Sequence, residues 1–305
     1  EITTRLVGSE MCIRDSYMTN LGILYGLLQT GDVVFSDELN HASIIDGCRI
    51  SRCKVVVYKH NDMADLQRLL ETEIVTGQRF IVTDGVFSMD GDIADLPSLA
   101  VLKKQFNACL IVDDAHGVGV IGNDGSGTAS HYGLTDVIDL QVGTLSKALA
   151  AEGGYVAGKK ILIDYLINRS RPFIFSTALA PATLAAANAA LLLLQTQASK
   201  YLDSLRANSR LMRRLLLEGG LNVVEGITPI IPVVIGEAGL TMQFADRLKS
   251  KGILVSGIRP PTVPRGESRL RITVTAAHCE EQLRQAAQII TALWQELKHG
   301  EKKEG

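Results

Sequence analysis

Ala108-Cys109-Leu110-Ile111-Val112-Asp113-Asp114-Ala115-His116-Gly117 is the stretch on which the reading of this chain turns. A short apolar run rich in branched residues is cut off by two carboxylates and an imidazole, as in a strand buried on both faces that ends at a polar edge. Open α/β sheets place their ligands outside the carboxyl ends of such strands. The same punctuation recurs on both sides in sequence. Phe80-Ile-Val-Thr83 runs into Asp84-Gly85-Val86-Phe87-Ser88, and Leu140-Gln-Val-Gly143 runs into Thr144-Leu145-Ser146-Lys147. Each stretch alone is weak evidence, but three in this order are specific.

Working outward, Asp32–Ser36, Lys54–Tyr58 and Gly154–Ala157 read as further strands, with helical patterns at Met63–Thr72 and Asp95–Gln105 between them. Pro97 falls in the first turn of the latter, where proline is tolerated. Strands alternating with helices predict an α/β fold with a mostly parallel sheet covered on both faces. Beyond about Leu194 the texture changes. Helices at Tyr201–Leu217 and Leu240–Lys251 flank the strand Ile230–Ile235, and Arg269–Thr275 precedes a final helix. That helix sets Leu283, Ala286, Ala287, Ile290, Trp294 and Leu297 on one face, an amphipathic spacing. The expected division is a large domain over 17–195 and a smaller α+β domain over 196–305. Residues 1–16 are expected to be a damaged or truncated remnant. Within it Thr4–Gly8 resembles ordinary protein, whereas Glu10–Ser16 shows neither helical nor strand period.

Composition narrows the function classes. The 305 residues are 46% hydrophobic with a net charge of −2, which offers no basic footprint for nucleic acid. Five cysteines without a CxxC pair argue against a disulfide framework or a metal site, and fit a reducing, cytoplasmic setting. The most apolar stretch, Ala178–Leu194, is interrupted by Pro181, Thr183 and Asn188 and is too short to span a membrane; a buried helix is expected. Gly117-Val-Gly119-Val-Ile-Gly122 matches a dinucleotide fingerprint, but that motif needs a helix opening at its last glycine. Asn123-Asp-Gly-Ser-Gly127 follows instead, which is turn chemistry, so a nicotinamide cofactor is disfavoured.

Lys147 follows a strand and has small neighbours in Thr144, Ser146, Ala148 and Ala150. It reads either as a solvated surface lysine or as the amine of a Schiff-base cofactor, for which burial among polar groups would favour the neutral form. A pyridoxal ring acts as an electron sink only while its nitrogen stays protonated, which requires a carboxylate partner. Asp113 is placed to be that partner, or else a turn-capping residue.

With these residues on the page, the chain resembles the α-oxoamine synthase family, pyridoxal-phosphate (PLP) enzymes of the aspartate-aminotransferase fold, fold type I. The match runs from Tyr17 to the last helix. Its anchors are Asn40-His41-Ala42-Ser43, Phe87–Asp92, Asp113–Gly117, Thr144–Lys147 and Gly153–Gly158. The resemblance implies PLP on Lys147, with Asp113 at the ring nitrogen, His116 at the phenolic oxygen and His41 stacked on the ring. Lys147, His41 and Asp113 would form the catalytic set. Ser88 and Thr144 would add polar contacts to the cofactor, with Thr144 near its phosphate. That phosphate would rest on the helix beginning at Ser16 and Tyr17. The family has Ser-Gly-aromatic there, whereas this chain has Asp15-Ser16-Tyr17. Ile258–Pro264 and Arg269–Thr273 are similar to the alanine-using branch of the family, which implies Thr262 and Arg271 as substrate contacts, Arg271 gripping the amino-acid carboxylate. For Arg269 a surface strand position is expected. The implied reaction is a decarboxylating condensation of L-alanine with a pimeloyl thioester, on CoA or an acyl-carrier protein, in biotin synthesis. A homodimer with shared active sites is implied through Phe175–Pro181. The alternatives are a member that joins glycine to acetyl-CoA and a non-catalytic subunit of the same fold.

Overall fold

A computed structural model describes residues 9–13 and 15–304; Thr4–Gly8 and Arg14 lie outside the described residues. The chain divides into two compact units. The first runs to Phe87 and resumes over Ile93–Ala198, and the second comprises Ser88–Asp92 and Ser199 onward.

Among the described residues the first unit is built on seven strands: β1 (Ser9–Ile13), β2 (Val33–Asp37), β3 (Lys54–Tyr58), β4 (Arg79–Asp84), β5 (Ala108–Asp113), β6 (Leu140–Thr144) and β7 (Gly154–Gly158). They lie in the order β1-β7-β6-β5-β4-β2-β3. β2 to β6 pair in parallel, whereas β7 runs antiparallel to both β6 and β1. The mostly parallel sheet expected from the sequence is therefore present, with an antiparallel edge.

Alternate residues of each strand feed two cores. Val34, Phe80, Val82, Ile111 and Val142 face one side, where α1 (Ser16–Leu27), α2 (Ala42–Ile50) and α6 (Lys160–Arg169) contribute Ile23, Leu24, Ile44 and Leu166. Phe35, Ile81, Leu110 and Val112 face the other, covered by α3 (Met63–Thr72) and α4 (Leu96–Phe106) through Leu66, Leu70, Leu99 and Leu102. Burying each such side chain contributes about 2 kcal/mol. α3 opens on an Asp62 cap and α4 on an Asp95 cap, with Pro97 in the first turn as its position predicts. Asn107 ends α4 in the left-handed region and turns the chain directly into β5.

Glu10–Ser16 departs from expectation. Ser9–Ile13 forms β1, with Met11 and Ile13 buried in the first core. A period of two needs only those two residues, and the open edge of β7 supplies the backbone partners. α1 begins at once, seated on Gly154, where a Cβ would stand 2.6 Å from the Ser16 nitrogen. Likewise a Cβ at Gly143 would enter the Tyr155 ring paired with it across β6 and β7.

The glycine run after β5 forms successive turns, with Gly119, Gly122, Gly125 and Gly127 all at positive φ, before the single turn α5 (Thr128–His131). No helix opens at Gly122, which removes the context a dinucleotide fingerprint needs. α7 (Arg171–Ile174) leads to α8 (Pro181–Glu218), whose helical geometry breaks at Gln197 (φ −136°). The expectation of a buried helix over Ala178–Leu194 is corrected. Only Ala187 is buried within its helical part, and Leu184, Leu192 and Leu193 are 44%, 52% and 45% exposed. Apolar composition shows that a helix wants cover but not that its own chain provides it.

The second unit has a three-stranded antiparallel sheet in the order β8-β10-β9, from β8 (Ile230–Gly236), β9 (Ser256–Ile258) and β10 (Ser268–Thr273). Its helices are α9 (Ala238–Ser250), α10 (Glu280–Glu304) and the later half of α8. Leu283, Ala287, Ile290, Trp294 and Leu297 of α10 pack with Phe244, Leu248, Ile231 and Leu270, as the amphipathic spacing predicts. Among the described residues no helix is long and apolar enough to cross a membrane.

Candidate active site

β4, β5 and β6 end side by side, and the polar residues that stop them gather there. Asp84 and Asp113 are in-register neighbours on β4 and β5, so their side chains share the sheet face that carries α1 and α2. Asp113 is buried. Its Oδ2 accepts from Asn20 Nδ2 on α1 (2.5 Å) and its Oδ1 from the Ala115 backbone (3.0 Å). It therefore shapes the turn after β5, the capping role that the sequence offered as one of two readings, while its other oxygen is held by Asn20 at the strand end. Asn20 also donates to Ser43 Oγ (2.8 Å), tying α1 to α2 beneath the site.

His41 caps α2, with Nδ1 2.7 Å from Ser43 Oγ, and its backbone nitrogen donates to Asp84 Oδ2 (3.1 Å). Tyr17 packs edge-on against the imidazole, with centroids 6.4 Å apart, and its hydroxyl bonds Asp46. Partial burial pushes the imidazole below its ordinary value; Asp113 opposes this and Lys147 reinforces it. Burial, then the neighbouring Asp113, pushes the Asp84 carboxyl well above the usual carboxylate range, against the His41 backbone bond and Lys147. Lys147, His41, Asp84 and Asp113 thus act on one another as a single electrostatic cluster.

Lys147, read from the sequence either as a surface lysine or as a Schiff-base amine, is exposed on the bend after β6. Thr144 ends β6 buried, but its hydroxyl serves this bend, 2.8 Å from Ser146 Oγ and 3.2 Å from the Gly153 carbonyl. The bend carries Ser146, Lys147 and Ala148 off the end of the strand, all three exposed. His116 is half-buried in the turn following β5.

Ser16 opens α1, and the Asp15 side chain caps that helix by accepting from Met18 N (2.8 Å). A carboxylate thus already takes part of the positive helix end where the resemblance puts a phosphate. Ser88, Thr262 and Arg271 belong to the second unit. Thr262 is exposed on the loop following β9. Arg271, on β10, donates from Nη1 to the Ser88 carbonyl (3.0 Å), while its Nε is buried without a hydrogen-bond partner and desolvation lowers its pKa. An orphaned guanidinium nitrogen of this kind suits an incoming carboxylate. Arg269 contradicts its surface expectation: it is 4% exposed and paired with Asp90 and Glu267.

Two residues of the site escaped sequence reasoning. Asn20 was legible only as a polar residue on an apolar helix, and Asp84 as the last residue of its strand. Neither signal names a partner. Among the described residues no cluster of His, Cys, Asp or Glu could hold a metal ion. For PLP the donor set at the ring end fits: an accessible amine, a buried carboxylate and a depressed imidazole.

The aminotransferase class I and II family pattern matches residues 10–290, and this chain belongs to that family. Its relatives include the 8-amino-7-oxononanoate synthase of Lysinibacillus sphaericus, 50% identical over 88% of this chain and 68% of that protein. That of Geobacter sulfurreducens is 49% identical over 97% of this chain and 77% of its own length. Among solved structures, a serine palmitoyltransferase from S. paucimobilis with bound PLP–myriocin is similar at a TM-score of 0.92 and 29% identity, covering 95% of this chain and 73% of that one. The 8-amino-7-oxononanoate synthase of Francisella tularensis gives 0.80 and 31%, covering 95% and 83%.

Proposed function

We propose that this chain is a PLP-dependent acyltransferase that condenses L-alanine with a pimeloyl thioester, releasing CO2 and the thiol to give 8-amino-7-oxononanoate for biotin synthesis. The observation that carries this reading is the cluster of Lys147, Asp113 and His41 at the strand ends of a chain about half identical to synthases of that name. When bound, PLP supplies an electron sink for the negative charge left by a lost proton. Lys147 Nζ would hold the cofactor and then accept the proton from the alanine Cα. Asp113, fixed by Asn20, would keep a proton on the ring nitrogen. His41, its basicity lowered, would lie neutral against the ring, and His116 would bond its phenolic oxygen. Ser88 and Thr144 would supply the polar contacts the resemblance assigns to the cofactor, and Ser16 and Tyr17 its phosphate end. Arg271 would take the alanine carboxylate, with Thr262 beside it.

A second copy of the chain would cover exposed apolar side chains such as Leu184, Leu192, Leu193 and Phe175, giving a homodimer. The cytoplasm is the compartment that suits this reaction. The test is a visible spectrum with PLP before and after L-alanine, joined to product assays. A PLP band that responds to L-alanine, with turnover of pimeloyl thioester, is expected. Turnover of glycine with acetyl-CoA alone, as in another branch of the family, overturns the substrate reading. Absence of any PLP band overturns the enzyme reading in favour of a non-catalytic subunit.

A further inference from the structure

The second unit contains five residues supplied by the sequence of the first. Ser88–Asp92 leaves from beyond β4 and returns to α4, its stem closed by the Val86–Ile93 bridge. Within the second unit this segment is held at three points. Asp90 pairs with Arg269, the Gly91 carbonyl accepts from Thr228 Oγ1 (2.7 Å), and the Ser88 carbonyl accepts from Arg271 Nη1 (3.0 Å). Gly91 sits at φ +68°, and a Cβ there would lie 2.7 Å from the Ile230 carbonyl, so the loop is fitted against β8 at that point.

Arg269 is the most costly of these groups to hold. Its guanidinium is buried, which is unfavourable unless the charge is matched and its N–H groups are used. Asp90 supplies one carboxylate; the Glu267 carboxylate (3.1 Å) and carbonyl (3.0 Å) supply the rest. Arg269 and Arg271 stand two residues apart on β10 and so share a face. One has a partner at each of its three nitrogens, and the other keeps a buried Nε with no partner.

We propose that Arg269 is a positioning residue for Arg271. Through Asp90 it fixes the captured loop so that the Ser88 carbonyl engages Nη1 of Arg271 and orients that guanidinium, leaving Nε and the remaining N–H groups for an amino-acid carboxylate. The sequence reading implied only Arg271 as a ligand contact and expected Arg269 on the strand surface. The structure gives them different work, one to hold the loop and one to meet the ligand. This inference rests on the proposed function insofar as the ligand is L-alanine.

Asp90→Asn, Arg269→Lys and the double variant test it in the full chain with PLP, by steady-state kinetics and by the L-alanine-dependent spectral change. Each single variant is expected to raise the L-alanine KM and the spectroscopic dissociation constant about ten-fold, the effect of one charged hydrogen bond, with kcat within about two-fold. The double variant should be no worse than the weaker single, because the two residues act through one contact. A loss in kcat with KM unchanged, or effects that multiply in the double variant, overturns the proposal. Hydrogen exchange provides an arm that needs no substrate: amides of Met89–Asp92 should exchange faster in Asp90→Asn while those of β8 do not. Unchanged exchange there overturns the tether. A wild-type chain that binds PLP but ignores L-alanine sinks the functional reading instead, and exchange still decides the tether.

Discussion

Asp114 carries a cost that depends on pH, and replacing it with asparagine should remove that cost. The side chain is completely buried, and burial pushes its carboxyl up from the ordinary 3.8 to about 7. Its Oδ2 accepts from Thr128 N (2.7 Å) and Gln141 Nε2 (2.9 Å), while Oδ1 has no partner and faces the Thr128 hydroxyl, itself unpartnered. Gly85, Gly117 and Gly127 close on it so tightly that a Cβ at any of them would stand within 2.6 Å of its oxygens. The sign follows from linkage. Below pH 3.8 both folded and unfolded chains hold the proton and nothing is lost. Between 3.8 and about 7 the unfolded chain ionises while the folded one does not, so stability falls with rising pH until the folded carboxyl also ionises. At about 1.4 kcal/mol per pH unit the full loss above neutrality is about 4 kcal/mol. In Asp114→Asn the amide oxygen keeps both accepted bonds and the amide nitrogen can donate to Thr128 Oγ1. The variant should therefore melt roughly 10 °C above wild type at pH 8, with a gain that shrinks steadily toward pH 4. Thermal melts followed by near-ultraviolet circular dichroism across that range measure it. A difference between variant and wild type that does not change with pH would refute the reasoning, because only an ionisation confined to one state produces the slope.

Asp15→Ser should tighten PLP binding by about five-fold in a fluorescence titration, since it removes an anion from the helix end offered to the phosphate while a serine still caps it; unchanged affinity would show that the carboxylate does not compete. Asn20→Leu strips Asp113 of a charged hydrogen bond while leaving α1 apolar. It should lower kcat by ten-fold or more and shift the pH dependence of the cofactor absorption, and a change confined to melting temperature would leave Asn20 a packing residue only. If the proposed homodimer forms through these residues, Leu192→Asp with Leu193→Asp should lower the sedimentation coefficient to that of a monomer, because both side chains are exposed in the isolated chain; an unaltered coefficient would refute that interface.

Much of the framework was written along the chain. Met63–Thr72 is a helix with the residues read from its period, and the strands over Lys54–Tyr58 and Ala108–Asp113 announce themselves by apolar runs that stop at charged residues. Those signals are local, so one sequence carries them. β1 was not legible, because a strand with two buried side chains owes its form to the edge of β7. Nor was the exposure of α8 over Leu184–Leu193, since composition records a need for cover without its source.

The site divides along the same line. The sequence by itself determined which chemical groups end β4, β5 and β6, and the order of Asp84, Asp113 and Lys147 along the chain. Only the tertiary structure decided how those groups are used. It set Asp84 against Asp113, because parallel pairing fixes register between residues far apart in sequence. It bridged Asp113 to Ser43 through Asn20, left Lys147 exposed, and buried Arg269 while leaving Arg271 with an unused nitrogen. Residue type fixes what a group can donate, accept or ionise, but desolvation and partners exist only once distant segments meet.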